Sequence, residues 1–259
     1  LVEQLERSED AVLFVVPTML SAIEPVLEGR APLDQVRSVI VSGSAFDGRH
    51  RVIARAAFPE ARIVQIFGAS ELSFVTVAVD DPGGPPPGDD VGVPFPGVEI
   101  ELRGDNSEIW VRSPFLFAGH LSADGALDDT LDEEGFATVG DLGRFDDDGR
   151  LSLIGRGSNM IITGGKNVHP EEIEAVLRDR DEVEDCVVVG LPDEYWGERL
   201  VGLLELRAPI DDSALVDAVR ERLSPHKAPK QWIRVDALPR TVSGKVARAR
   251  ARELALDAA

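Results

Sequence analysis

An α/β protein is predicted by three features of this 259-residue sequence. Apolar runs of strand length alternate with helical patterns over residues 1–80. The signal then changes to short strands split by turns, and after Gly155 helices and apolar strands alternate once more.

Each element has its own local warrant. AVLFVV at 11–16 reads as a strand, a helical stretch follows from Thr18, and RSVIVSG at 37–43 reads as a second strand. A helix near Arg49 to Ala57 leads into a third strand, ARIVQIFG at 61–68. This alternation predicts parallel strands joined by crossover helices. The Pro- and Gly-dense run DDPGGPPPGDD at 80–90 stops any regular element and marks a boundary. VEIELRG, SEIWVRS, GFATVGD and GRLSLIG then predict a small β subdomain. Beyond it, HPEEIEAVLRD opens a helix with Pro170 in its first turn and Glu171, Glu172 and Glu174 near the positive end of the dipole. EDCVVVG and LVGLLELR read as strands and DDSALVDAVRERL as a helix. The expected division is therefore 1–80, 81–155 and 156–259.

Composition excludes several function classes. A net charge of −20 opposes a nucleic-acid partner, whose binding rests on clustered Lys and Arg. The longest strongly apolar stretch, Ala11 to Val16, falls far short of the roughly 18 residues that span a bilayer, so no membrane span is expected. The single cysteine, Cys186, reads as a small core residue on a strand, and a reducing cytoplasm fits it. The opening LVEQLERSED has no Met, basic region or cleavage site, which suggests a fragment.

Generic motifs fail. GGK at 164–166 has Asn167 where a P-loop requires Ser or Thr. FDDDGR at 145–150 is flanked by Arg144 and Gly155 where an EF-hand needs carboxylates, and it reads better as a hairpin turn. His50, His120, His169 and His226 show no metal-binding spacing and are assigned no role.

Four stretches carry a specific pattern: QIFGASE at 65–71, EIWVRSP at 108–114, VGDLGRFDDDGRLSLIGR at 139–156 with SNMIITGGKNVHPEEIE following, and LPRTVSGK at 238–245. In order and spacing they resemble the core motifs of the adenylate-forming superfamily, which includes acyl-CoA synthetases, peptide-synthetase adenylation domains and luciferases. The resemblance implies part of a large N-terminal α/β domain, a small β-barrel-like subdomain and a mobile C-terminal α+β domain.

It also implies roles. Phe67 and Gly68 would border the adenine, Ser70 would offer its hydroxyl to the α-phosphate, and Glu71 would hold Mg²⁺, a hard cation suited to oxygen ligands. VSGSAF at 41–46 resembles a turn whose backbone at Gly43 and Ser44 runs along the adenine. Asp141 would accept hydrogen bonds from the ribose hydroxyls, and Arg156 would lie near ribose and phosphate. Their competing reading is a structural salt bridge. Lys245 matches the lysine of a swinging loop that contacts carboxylate and α-phosphate as ATP releases pyrophosphate. Gly244 and Ser243 favour a flexible turn there. RGSNMI at 156–161 aligns with the family's hinge, with Asn159 at its centre, although Ser158 and Asn159 stand where Lys and Asp are usual. Gly164 and Gly165 would line the pantetheine tunnel.

GLPDEYWGERL at 190–200 and LSPHKAPKQW at 223–232 resemble the stand-alone acyl-CoA synthetase branch, so CoA is the expected acceptor and a small carboxylic acid the expected substrate. Leu72, Ser73 and Phe74 include no cation to pair a second carboxylate, which leans toward a monocarboxylic aliphatic or aromatic acid. The family's phosphate loop is not found. The expected partner is therefore a missing N-terminal region of the same enzyme, and the 259 residues alone are expected to be inactive. A module loading a carrier protein and a non-catalytic interaction remnant stand as alternatives.

Overall fold

A computed structural model describes residues 2–84, 88, 90–121, 127–128, 131–242 and 244–258; Pro85, Pro86, Pro87 and Asp89 of the expected boundary, and Ser243 beside Lys245, lie outside the described residues. The chain falls into two compact units, 1–153 and 154–259.

The first unit begins with α1 (Val2–Glu6), β1 (Ala11–Val15), α2 (Pro17–Leu27), β2 (Val36–Val41), α3 (Gly48–Ala57), β3 (Arg62–Ala69) and β4 (Ser73–Asp80). β5 (Val93–Pro94), β6 (Glu99–Arg103), β7 (Glu108–Arg112), β8 (His120–Leu121), β9 (Leu127–Asp128) and β10 (Asp141–Phe145) follow, and the chain leaves the unit within β11 (Leu151–Arg156).

The first sheet has the order β1-β2-β3-β4-β5, with β1, β2 and β3 parallel and β4 antiparallel to β3. Pro17 opens α2, and Asp47 caps α3 by accepting the His50 N–H at 3.0 Å. These helices press Leu20, Ile23, Ile53 and Ala54 onto Leu13, Val15, Val39, Val41 and Ile63 of the sheet. The opposite face carries an apolar row across four strands, Phe14–Ile40–Val64–Val79. Along that face Val12, Phe14 and Val79 are 67%, 60% and 48% exposed.

The second sheet has the order β11-β10-β7-β6. Its Ile109, Val111 and Leu151 share a core with Phe67, Leu72 and Val75 of the first sheet, closing the unit. The acidic run Asp146–Asp148 forms the hairpin turn its composition suggests: the Asp146 carboxylate accepts the N–H groups of Asp148 and Arg150 at 3.0 and 2.8 Å.

The second unit contains β12 (Ile161–Thr163), β13 (Lys166–Val168), α4 (Pro170–Arg178), β14 (Val183–Asp193), β15 (Gly197–Leu206), α5 (Asp212–Arg222), β16 (Gln231–Val235) and α6 (Arg248–Asp257). Its sheet runs β13-β12-β15-β14, with β16 parallel on β15. β14 is buried on both faces, which explains the unbroken apolar run at 186–191. Cys186 and Val188 meet the core of α4 and α5, while Val187, Val189 and Leu191 meet Ala251 and Ala255 of α6. The sequence patterns above do not foresee α6, because its buried residues are two alanines, Ala251 and Ala255, and no apolar stripe marks it.

Candidate functional site

Two loops leave the same end of the first sheet. The Gly43–Ser44 loop leaves the carboxyl end of β2 and the Ser70–Glu71 turn leaves the carboxyl end of β3, and the two strands are adjacent and parallel. Ligands of open parallel sheets bind beyond such carboxyl ends. Gly43 adopts φ +95°, and Ser42 N–H reaches back to the Val15 carbonyl of the neighbouring strand at 3.3 Å, so the loop is held against the sheet. Gly43 and Ser44 are both exposed.

The β3–β4 turn is sterically specified. A Cβ on Gly68 would lie 1.8 Å from the Ser73 carbonyl oxygen, so only glycine permits β4 to fold back this closely. Ser73 takes φ +57°, and Leu72 N–H donates to the Ala69 carbonyl at 3.2 Å. This presents the Ser70 side chain to solvent and leaves Glu71 half-buried. The Glu71 carbonyl accepts the Phe117 N–H at 3.0 Å, joining the turn to the segment after β7. Phe67 lies in the core between the two sheets, 9% exposed. Of the three residues expected in the acyl pocket, Leu72 is fully buried, Ser73 is half-buried and Phe74 is exposed, with its ring 5.7 Å from that of Phe95.

Asp141 belongs to the same unit, at the first position of β10 in the second sheet. The turn before it is set by Thr138, whose hydroxyl donates to Glu108 at 2.8 Å and accepts the Gly140 N–H at 3.0 Å.

Arg156, Asn159, Gly164, Gly165 and Lys245 belong to the second unit. Arg156 ends β11 and is exposed. A 3-10 turn follows at Gly157–Asn159, and the Asn159 amide donates to Glu171 of α4 at 2.7 Å. A carboxylate at position 159 would meet Glu171 as a like charge, so asparagine suits this chain's own surroundings where the family pattern has Asp.

Gly164 and Gly165 form the two-residue loop of the β12–β13 hairpin, at φ +56° and +75°. Positive φ at both central residues is the requirement of a type I′ turn, so the pair has a backbone reason as well as an expected ligand role. The ring of Trp196 lies 2.9 Å from where a Gly164 Cβ would stand, and Gly164 N–H donates to the Trp196 carbonyl at 2.8 Å.

Trp196 also marks a feature the sequence analysis names only as a stretch. Lys230 Nζ sits 5.2 Å from the Trp196 ring centroid, and the 82%-exposed Tyr195 packs edge-on to it. Burial together with the charges of Lys166 and Lys227 holds the His226 imidazole below its usual range, and Lys227 Nζ itself pairs with Glu172 at 2.6 Å. The chain has four lysines, and three of them, Lys166, Lys227 and Lys230, belong to the second unit between the glycine hairpin and β16 in sequence, in a protein of net charge −20. The scarcity of lysine was the signal available in the sequence.

The fourth is Lys245, exposed at the end of a turn closed by backbone hydrogen bonds. Gly244 N–H donates to Thr241 O at 2.9 Å, Thr241 N–H to Lys245 O at 2.8 Å, and Ala247 N–H to Pro239 O at 2.7 Å. Gly244 takes φ +84°, the conformation that favours glycine.

Among the described residues no helix is long and apolar enough to cross a membrane.

Two family models match the chain: the AMP-binding enzyme model over residues 1–121 and the AMP-binding enzyme C-terminal domain model over 172–245. An uncharacterised acyl–CoA ligase of Bacillus subtilis is 37% identical over 97% of this chain and 52% of its own length. The amide bond synthetase McbA of Marinactinospora thermotolerans matches with TM-score 0.84 and 28% identity over 98% of this chain and 53% of that one. The o-succinylbenzoate CoA synthetase of B. subtilis, solved with its acyl-adenylate intermediate, matches with TM-score 0.79 and 26% identity over 97% of this chain and 52% of that one. The chain therefore spans about half the length of these relatives. Motif order, sheet topology and both matches agree: this chain belongs to the family of AMP-binding enzymes.

Proposed function

We propose that this chain supplies part of an enzyme that uses ATP to turn a carboxylic acid into an acyl-adenylate and then passes the acyl group to the thiol of CoA. The observation that carries this reading is that the Gly43–Ser44 loop and the Ser70–Glu71 turn leave the carboxyl ends of adjacent parallel strands. In this reading Gly43, Ser44, Phe67 and Gly68 border the adenine, Asp141 and Arg156 bind the ribose, and Ser70 and Lys245 meet the α-phosphate. Only the edge of Phe67 is then available to the base, since its ring is largely in the core. Glu71 offers a carboxylate at the half-buried end of this turn and would hold Mg²⁺, a hard cation that commonly takes one or two protein carboxylates. When bound, Mg²⁺ neutralises charge on the phosphates.

The acceptor reading rests on the second unit. Trp196 packs at the glycine hairpin, Lys230 lies over its ring and Lys166 adjoins Gly165, an aromatic face with positive charge suited to a phosphorylated adenosine carrying a slender thiol arm. The units proposed are an ATP-site platform at 1–80, a β subdomain at 81–155 and a mobile module at 156–259 that pivots near Asn159. The bare apolar face of the first sheet supports the partner reading: parallel strands are ordinarily covered on both sides, and the relatives are about twice as long. The remainder of the enzyme would cover Phe14 and its row. A cytoplasmic setting and a monocarboxylic substrate belong to the same reading.

The test is carboxylate-dependent ATP–pyrophosphate exchange by an enzyme of the relatives' full length that contains this chain. Lys245→Ala is expected to lower the exchange rate by about 100-fold or more, the usual scale for losing a transition-state cation. The 259 residues by themselves are expected to show no exchange. Undiminished exchange by Lys245→Ala would refute the assignment. The structural likeness to an amide bond synthetase supports one second reading, an amine acceptor. Release of free acyl-CoA on addition of CoA, and of no amide on addition of amines, separates the two.

A further inference from the structure

We propose that Arg240 is a positioning residue for Lys245: its guanidinium ties the turn that carries the lysine to Asp185 on β14. The inference rests on the reading of Lys245 given above and adds to it how the lysine is aimed.

The turn is clamped at both ends. Before it, Arg240 Nη2 lies 2.8 Å from Asp185 Oδ2 and 3.7 Å from Glu205 Oε2, while Nη1 donates to the Gly244 carbonyl at 3.3 Å. One guanidinium therefore bridges the sheet and the residue adjoining Lys245. Asp185 is itself fixed, accepting from Arg178 Nε at 2.9 Å and from the Cys186 N–H at 2.8 Å. After the turn, Arg248 donates to Glu174 at 2.7 and 3.1 Å and to the Val188 carbonyl at 2.6 Å. Glu174 is 2% exposed and also accepts the Val188 N–H at 2.8 Å, so this second anchor is embedded in the core. Between the anchors, Arg240 and Val246 pair as an antiparallel bridge.

The Lys245 backbone is thus part of the sheet's frame. The described backbone on either side of the lysine is therefore tied to the module and travels with it. This matters because an error of about 1 Å in placing a catalytic group can cost about 100-fold in rate. Arg240 suits the task better than lysine: its planar fork reaches two acceptors in different directions, whereas an ammonium on a flexible stem would serve one of them. A merely structural ion pair at a 34%-exposed site would contribute stability and nothing specific to Lys245.

The experiment has two arms. In the 259-residue chain, amide exchange at Thr241, Gly244 and Leu203 is compared between wild type, Arg240→Gln and Arg240→Lys. Arg240→Gln is expected to speed exchange at Thr241 and Gly244 by about tenfold with Leu203 unchanged, and Arg240→Lys to fall between, as expected of a local opening. Unchanged exchange at the turn, or an equal rise at Leu203, overturns the proposal. In the full-length enzyme, Arg240→Gln is expected to lower kcat for adenylation by about 30-fold with KM for ATP within about twofold, and to leave thioester formation from supplied acyl-adenylate at the wild-type rate. Arg240→Gln combined with Lys245→Ala is expected to be no slower than Lys245→Ala alone, because the two residues act as a unit. Losses that multiply overturn the proposal. A Lys245→Ala enzyme of full activity would instead sink the reading of Lys245, and the exchange arm would still report whether Arg240 holds the turn.

Discussion

The two large sheets of this protein solve the same packing problem to different degrees. In the second unit, α4 and α5 cover one face of β14 and α6 covers the other, so that Cys186, Val187, Val188 and Val189 are all buried. In the first unit, α2 and α3 cover one face of β1–β3, and in the row Phe14–Ile40–Val64–Val79 on the other Phe14 and Val79 are exposed and Ile40 and Val64 half-buried. A polar group in the fully enclosed sheet must find its partner inside the unit. On the half-covered sheet, apolar side chains are left exposed. The proposed docking of a further part of the enzyme would draw on that difference.

The sharpest way to break the comparison is at the buried charge of the enclosed sheet. Glu174→Ala leaves Arg248, Arg178 and the Val188 N–H without their shared acceptor and is expected to cost about 3–5 kcal/mol, the scale for breaking a buried ion pair. Urea unfolding followed by Trp196 and Trp232 fluorescence checks this, since both tryptophans belong to the second unit. A loss below about 1 kcal/mol, ordinary for an exposed pair, would contradict the burial argument.

Next in size is an acid-dependent effect at Asp185. Burial pushes its carboxyl up, but Arg178 and Arg240 beside it outweigh burial and hold it below the usual carboxylate range. A depressed folded-state pKa means stability that is present above the unfolded value of 3.8 and is lost as pH falls through the lower folded value. Asp185→Asn is therefore expected to be less stable than wild type at pH 7, by about 1–3 kcal/mol for a half-buried pair, with the gap closing below about pH 4. Parallel pH titrations of the unfolding midpoint check it, and a gap that widens in acid contradicts the sign.

The smallest effect sharpens the comparison by contrast. Phe14→Glu on the bare face is expected to change the stability of the 259-residue chain by no more than about 0.5 kcal/mol, as surface substitutions do. Under the proposed docking, it is nonetheless expected to abolish co-purification with a separately produced N-terminal region. Val189→Glu, on a strand buried on both faces, is expected to unfold the second unit outright. Circular dichroism and pull-down of the two variants distinguish the surfaces.

Much of this was legible in the sequence, and the gaps have physical causes. The parallel strands, α3, α4 and the Asp146 turn each carry a local signature: apolar runs of strand length, an N-cap, a proline opening and an Asp–Gly turn. Helix α6 carries none, because Ala251 and Ala255 fit against the sheet by being small, and small residues leave no periodic stripe. The motif residues Ser70, Glu71, Asp141 and Lys245 were found by their order along the chain. What order could not supply was their support: Gly68 fixing the turn before Ser70, or Arg240 reaching from Gly244 to a strand 55 positions away. Such contacts are set by tertiary register, and no spacing rule encodes them.

Cys186 has a practical consequence. It is the chain's single cysteine, it is fully buried, and burial pushes its thiol up, so it stays protonated and inert to thiol-directed reagents while the protein is folded. A second cysteine placed on the exposed turn at Thr241 or on the bare face at Val12 would take a maleimide dye alone. The native sequence is in effect a silent background on which a fluorophore can watch either the lysine's turn or the docking face, with no residue to remove first.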